Sequence, residues 1–330
     1  MLASCALLAA CGREGGESIG GSVTVVPGGS SPTPAPSPSP TATTTPTAGL
    51  LTGEIKPAAG ATFLSATMDL TIVGGTADQL TGTVTGASTS NRSITIDTPG
   101  FQGSYSSQTG YRLSDSSSTV TFGPAQLVAG TTAGPASPVL LASTSGDIAD
   151  YLALYRPDVA FSGPAATGPI SPILSGAAGW QHTVKGPTSR RTRLNYFAYG
   201  IATPVGEMPR SGVVKFTLLG SSNYASDEQL YFCTQGDTLT VDFGTGTIQG
   251  PLVALGQGLL SSSWGGVYFS TISGSINGNS VSAPLPSPGG VGQFRLIFTG
   301  PNAEELILAY VGDNGRGMIV GAAAGLRNPS

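Results

Sequence analysis

The chain has few side chains suited to acid–base or metal chemistry, and His182 is the only histidine among its 330 residues. A Ser-His-Asp hydrolase would have to use that residue. The three cysteines, Cys5, Cys11 and Cys233, do not combine with a single histidine into the ligand spacing of a zinc site. These residue types predict a protein that is not an enzyme and that uses no metal and no cofactor.

The adjacent carboxylates Glu304 and Glu305 are the nearest approach to an acid–base pair. Neighbouring side chains of a strand point to opposite faces, so these two would not converge on one substrate atom.

The composition argues against nucleic-acid binding as the function. Charged residues make up 10% of the chain and the net charge is −4, whereas a nucleic-acid-binding protein needs clustered Lys and Arg. We therefore expect no nucleic acid among the partners.

A weak set of ligand-binding candidates remains, namely His182, Trp264, Tyr268 and Tyr224. His182 is either a ligand of haem or of a metal, or a solvated loop residue. The three aromatic residues fall at or near predicted loops and strand ends. They are either exposed anchors of an interface or packing residues of a barrel.

A small basic cluster, Arg190-Arg191 with Arg193, also stands out in a chain with so few charges. Arginine can pair a carboxylate or a phosphate through two parallel hydrogen bonds. The alternative interpretation is a solvated turn.

The N-terminus indicates export. Residues 1–11 contain a short apolar run, too short to span a bilayer, which ends in Leu8-Ala9-Ala10-Cys11. This tetrapeptide resembles the lipobox of bacterial lipoproteins, in which the Cys becomes the first mature residue and carries the acyl chains, palmitate among them. The resemblance implies that residues 1–10 are a signal peptide and that Cys11 is the lipid attachment site. In such lipoproteins an Asp directly after the Cys marks retention at the inner membrane. Here Gly12 follows Cys11, so the resemblance implies export to the outer membrane. Cys233 would then be the only thiol left, and we expect it to be a small buried apolar residue.

Residues 11–49 are expected to form a disordered tether. The segment 27–48 is rich in Pro, Ser and Thr and lacks the apolar residues that could offset the entropy of ordering. As an extended polyproline II chain, it would reach about 70 Å.

From Leu50 onward, apolar residues alternate with polar ones. Ala66, Met68, Leu70 and Ile72 would share one face of a strand, and shorter segments between clusters of Gly, Pro, Ser and Asn repeat the pattern. Residues 129–138 and 162–178 look like loops. No helical stripe longer than about two turns occurs. We therefore predict a β-rich domain over residues 50–194.

The final third is more regular, with alternating segments separated by turns such as Gly244-Thr245-Gly246 and Asn277-Gly278. We count eight strands over 212–327, the number that closes into a small up-and-down barrel. The fold prediction is therefore all-β. A handle-like domain over 50–194 precedes an eight-stranded antiparallel barrel over 195–330.

Several short segments resemble the C-terminal barrel of transferrin-binding protein B-like surface lipoproteins over about residues 195–327. They are Tyr199-Gly200 with Thr203, Met208–Gly212, Val241–Ile248, Ile272–Val281, Phe298–Glu305 and Val320-Gly321-Ala322. In that family a handle sheet precedes the barrel, and members bind host iron or haem proteins, or ligands not yet known. Ile307 and Leu308 stand where the family has a Gly pair, which implies a different local packing.

The resulting functional prediction is an outer-membrane lipoprotein, on the cell surface or the periplasmic face, anchored through Cys11. It would act as a non-catalytic binding protein for a host or environmental protein or a small solute. The resemblance implies iron or haem acquisition as the setting. The alternative is a tethered structural or assembly factor in the periplasm without a small-molecule ligand.

Overall fold

The computed structural model describes residues 57, 59–73, 88–106, 108–128, 139–155, 175–227, 230–235, 237–258, 264–286, 290 and 292–328. In these residues the regular structure is β-strand with three single-turn 3-10 helices, which confirms the all-β prediction. None of the helices in this part of the chain has the length and apolarity needed to cross a bilayer. Residues 1–10, predicted as a signal peptide, and residues 11–49, predicted as a lipid-anchored tether, lie outside the described residues.

Six antiparallel strands form the first sheet, namely β1 (Thr62–Val73), β2 (Ser88–Ile96), β6 (Val139–Ser145), β7 (Ile148–Tyr155), β8 (Ser175–Lys185) and β9 (Ser189–Gly200). Their spatial order is β2-β1-β9-β8-β7-β6. The predicted alternation in β1 is confirmed, because Ala66, Met68, Leu70 and Ile72 are all buried on one face. The predicted domain boundary between 194 and 195 lies within β9, and the division into two domains stays a prediction.

The six-stranded sheet is covered on both faces. One face packs on the outside of the barrel, where Leu194 and Tyr196 of β9 share a core with Ile307 and Val320. The other face carries a three-stranded sheet of β3 (Gln102–Ser106), β4 (Gly110–Ser114) and β5 (Thr119–Phe122). Phe197 lies in the core beneath that sheet.

The first residues of β8 correct the predicted loop over 162–178. Residues 175–178 are strand, although Ser-Gly-Ala-Ala shows no alternation of apolar and polar residues. The reason is that tyrosine rings of β9 lie over the glycines of β8. A Cβ on Gly176 would come within 2.6 Å of the Tyr199 ring, and one on Gly179 within 3.0 Å of the Tyr196 ring. Small residues here make room for cross-strand aromatic packing.

The remaining strands form the predicted barrel. They are β10 (Val213–Ser226), β11 (Leu230–Gln235), β12 (Thr238–Asp242), β13 (Thr247–Gly258), β14 (Trp264–Ser275), β15 (Ser280–Pro284), β16 (Gly292–Thr299), β17 (Glu305–Asp313) and β18 (Gly317–Arg327). The first and last strands pair, from Phe216 with Arg327 to Ser226 with Gly317. In the described residues, β14 and β15 form no hydrogen-bonded ladder, and the turn between them has only the isolated bridge of Asn277 with Ser280, so the barrel is nearly closed.

β11 and β12 are two pieces of one barrel strand, since both pair with β10 on one side and with β13 on the other. In the sequence, the alternation of Leu239, Val241 and Phe243 predicts only the second piece. Asp237 fills the break, where its carboxylate accepts the Val253 N–H at 2.8 Å in place of a ladder hydrogen bond. Counted this way, the barrel has the eight strands that the sequence predicted.

Candidate functional site

The up-and-down topology gives the barrel two different ends. The turns β12–β13, β14–β15 and β16–β17 and the segment 201–212 lie at one end, which we call the connector end. The connections β10–β11, β13–β14, β15–β16 and β17–β18 lie at the other, which we call the distal end. β1 begins at the connector end, because Thr62 pairs with Gly200 and Ala202 bridges to Thr299.

Hydrogen bonds of Thr203 link several segments at the connector end. Its N–H donates to the Phe298 carbonyl at 2.9 Å, and its hydroxyl donates to the Gly300 carbonyl at 2.6 Å. The Asn279 amide donates to the Thr203 carbonyl at 2.7 Å, and Met208 packs against the barrel core. Most of the segments that carry the family resemblance therefore meet at this end, where they hold turns in place.

Turn chemistry explains why these segments were readable from the sequence. Gly246 and Gly278 both have positive φ, at 67° and 62°, as tight hairpin turns require. The Asp242 carboxylate accepts the N–H groups of Gly244 and Thr245, at 2.8 and 3.2 Å. These local requirements fix residue types without reference to a ligand.

Apolar and aromatic side chains pack the inside of the barrel. The largest of those that are fully buried are Tyr268, Tyr310, Phe216, Phe294 and Phe298. The Tyr268 ring reaches from β14 to β17, where a Cβ on Gly312 would lie 2.1 Å from its hydroxyl. Burial raises the pKa of Tyr310 well above its usual value. The interior is thus built from interlocking side chains contributed by strands on different sides of the barrel.

Ile307 and Leu308, which stand where the family that the sequence resembles has a Gly pair, fill both sides of the barrel wall. Ile307 is buried between the barrel and the six-stranded sheet, and Leu308 is buried inside the barrel. The local packing therefore differs from that of a Gly pair in that side chains are buried on both faces of β17.

The three aromatic candidates come to the same end of the molecule. Tyr224, near the end of β10, and Tyr268, near the start of β14, lie toward the distal end, and both side chains are buried. The Tyr224 hydroxyl donates to Asn314 Oδ1 at 3.1 Å, and burial raises the pKa of Tyr224. Trp264 opens β14 opposite Gln257, but its side chain lies outside the described residues. Barrel packing is the interpretation that the burial of the two tyrosines supports, and a binding role for the three stays a prediction.

His182 lies on β8, away from the aromatic candidates. Its Nδ1 is 2.8 Å from Asp150 Oδ1, and Trp180 Nε1–H donates to the same oxygen at 2.9 Å. Asp150 is buried, so the imidazole is held by a carboxylate beneath the surface and not on a solvated loop. The described residues contain no group of three or more His, Cys, Asp or Glu side chains placed to hold a metal.

A row of ionisable residues crosses the six-stranded sheet, and the sequence did not predict it. Asp150, His182, Arg193 and Asp69 are direct cross-strand neighbours on β7, β8, β9 and β1. Arg193 donates to Asp69 through Nε at 2.7 Å and through Nη2 at 3.1 Å. Hydrogen bonding to Asp69 raises the pKa of Arg193. Opposite charges in directly opposed positions stabilise the sheet.

The turn between β4 and β5 rests on this row. Arg193 Nη1 donates to Ser117 Oγ at 2.6 Å and to Asp115 Oδ2 at 3.3 Å. Burial alone would raise the pKa of Asp115, but hydrogen bonds from Ser117 and Ser118 and the charge of Arg193 outweigh it and lower that pKa. Arg193 thus joins the three-stranded sheet to the six-stranded sheet.

The structure also shows the surroundings of Glu304, Glu305 and Cys233, which the sequence singled out. Glu304 is exposed in the turn before β17, and Glu305, the first residue of β17, is buried, so the two are not neighbours on one strand as the sequence predicted. Cys233 is buried in the barrel, and burial raises the pKa of its thiol to about 12, in accord with its interpretation as an apolar core residue.

The six-stranded sheet reaches the distal end of the barrel. The Thr89 N–H of β2 donates to the Asp227 carbonyl at 3.3 Å, and Arg92 Nη1 lies 2.7 Å from Asp227 Oδ1. Ile72, near the end of β1, shares a core with Ala225 and Leu230 of the barrel. The distal end is therefore one surface made from both sheets.

No protein-family model and no curated protein matches the chain. Among solved structures it is similar to transferrin-binding protein B of Haemophilus parasuis, at 10% identity over 83% of this chain and 77% of that one, with a TM-score of 0.39. It is similar to HpuA of Kingella denitrificans in complex with human haemoglobin, at 13% identity over 84% and 89%, with a TM-score of 0.39. It is also similar to the N-lobe of lactoferrin-binding protein B of Moraxella bovis, at 13% identity over 51% and 80%, with a TM-score of 0.32.

Proposed function

We propose that this chain is a non-catalytic lipoprotein, anchored in the outer membrane through acyl chains on Cys11, that captures a protein partner in iron or haem acquisition. The observation that carries the proposal is the packed barrel. Its interior is occupied by side chains such as Tyr268 and Tyr310, and its connector end is tied across by Thr203. Recognition then falls to the outer surface and the distal end, which suits a protein better than a small solute.

The lipobox resemblance at Cys11 supports the anchor, and the resemblance of the barrel segments supports the iron or haem setting.

The test is protease shaving of intact cells that express the full chain. We expect the domain to be cleaved from the surface, whereas a periplasmic marker stays intact. A Cys11→Ala variant should be lost from the membrane fraction. Protection of the domain in intact cells and cleavage only after the outer membrane is opened would instead support the alternative, a tethered periplasmic factor.

A binding measurement follows on the same protein. Haemoglobin, transferrin and lactoferrin are the first probes, each measured with and without its iron or haem. Saturable binding that substitutions in the distal end weaken, and that substitutions at the exposed Glu304 of the connector end do not, would support capture. Equal losses at both ends would contradict the assignment of the distal end.

A further inference from the structure

One strip of the six-stranded sheet extends beyond the three-stranded sheet that packs on it. On the face that carries the three-stranded sheet, the β4–β5 turn reaches the row of Arg193 and contacts that side chain. The next row, toward the distal end of the sheet, consists of Ile148, Val184, Arg191 and Thr71 in register. Val73 lies two residues beyond Thr71 on the same face of β1.

These five residues, Ile148, Val184, Arg191, Thr71 and Val73, form a surface that we call the shelf. Ile148 is 40% exposed and Val73 is 42% exposed, and Arg191 is exposed between them. Apolar side chains under the cover on the same face, such as Leu152 and Trp180, are at most 1% exposed. The shelf is therefore a partly apolar continuation of a packed face, on which apolar area remains available to a partner.

Arg191 differs from Arg193 and Arg92, two other arginines of the six-stranded sheet. Arg193 is bound by Asp69 and Asp115, and Arg92 is paired with Asp227. The cross-strand neighbours of Arg191 are Val184 and Thr71, neither of which carries a charge. In the part of the chain that the structure describes, no carboxylate pairs with Arg191.

We propose that the shelf docks an acidic segment of a protein partner, in which a carboxylate binds Arg191 and flanking apolar side chains cover Ile148 and Val73. The guanidinium presents two parallel donors to a carboxylate, and arginine beside apolar surface is a frequent anchor of protein interfaces. The choice of a carboxylate follows from charge complementarity, and the choice of apolar neighbours follows from the exposed aliphatic side chains. This inference rests on the proposed capture function and specifies the chemistry of the captured partner.

The experiment selects peptides from a random dodecapeptide phage library on the immobilised full chain. We expect enriched peptides to carry Asp or Glu next to apolar residues. A synthetic peptide of the enriched sequence should bind Arg191→Ala about tenfold or more weakly than the wild-type chain. Replacing its acidic residue with the corresponding amide should cause a similar loss, and Ile148→Ser should cause a smaller one. Arg112→Ala, at an exposed arginine of β4, is the matched control and should bind as the wild type does.

Enriched peptides without acidic residues, or peptides that bind Arg191→Ala and the wild type equally, would overturn the proposal. Binding to vesicles of phosphatidylcholine with phosphatidylglycerol that depends on Arg191, without acidic peptides among those selected, would overturn it in favour of a lipid surface. The two proposals fail separately. Arg191-dependent peptide binding by a domain that stays protected in shaved cells would leave the shelf intact and remove surface capture.

Discussion

Replacing Arg193 with Met tests whether one side chain fastens the three-stranded sheet to the six-stranded sheet. Met keeps much of the apolar stem and removes the charge and all four hydrogen bonds, two to Asp69, one to Ser117 and one to Asp115. We expect the free energy of unfolding to fall and amides of the β4–β5 turn to exchange faster.

The magnitude follows from the exposure of the two acidic partners. Asp69 is 43% exposed, so water screens its pair with Arg193, and losing that pair costs about 1 kcal/mol. The Asp115 side chain is 0% exposed but keeps hydrogen bonds from Ser117 and Ser118, so losing its cation costs about 1–2 kcal/mol. Together, the loss is about 2–3 kcal/mol.

The assay is equilibrium unfolding in urea, with the slope of the transition compared between variants. Arg191→Met is the matched control, because Arg191 lies on the same face two residues away and is exposed, and its effect should stay within about 0.5 kcal/mol. A double-mutant cycle with Asp115→Asn should give a coupling energy of about 1 kcal/mol. Equal effects at Arg193 and Arg191, or a coupling near zero, would refute the reasoning.

Two further predictions concern titratable groups. The folded-state pKa of Asp115 is lowered, so its charge stabilises the protein fully above about pH 4, its ordinary range, and that stabilisation is lost as the pH falls through the lowered pKa. The stability difference between the wild type and Asp115→Asn should therefore shrink between pH 7 and pH 3, and a constant difference would contradict this account. Burial raises the pKa of Cys233 to about 12, so a thiol reagent at pH 8 should label it only as fast as the barrel unfolds. The measurement uses a chain in which the other two cysteines are Ser, and labelling within seconds under native conditions would argue against a sealed core.

Parts of the fold could be predicted because they are locally encoded. Period-two alternation in β1 identified its buried face, and the turn residues around Gly246 and Gly278 identified two hairpins of the barrel. The start of β8 was not predictable in this way. Its Gly and Ala residues are explained by the tyrosine rings of β9, which are neighbours across the sheet.

The candidate site was less predictable than the fold. The sequence singled out Tyr224 and Tyr268 as candidate anchors, but whether an aromatic residue near a strand end points inward depends on register and closure, and both are buried. The sequence placed Arg190, Arg191 and Arg193 in one cluster. In the structure Arg191 and Arg193 lie on the same face, but Arg193 is paired with Asp69 and Arg191 is exposed.

The sequence alone determined the all-β character of this protein, its scarcity of catalytic groups and the turns of the connector end, because each of these depends on residue type and on spacing over a few positions. Only the tertiary structure decided which charges are satisfied and which side chains remain exposed. Arg193 and Asp69 are 124 residues apart, and strand register is what places them in contact. The extent of the three-stranded sheet, in turn, leaves Arg191 uncovered.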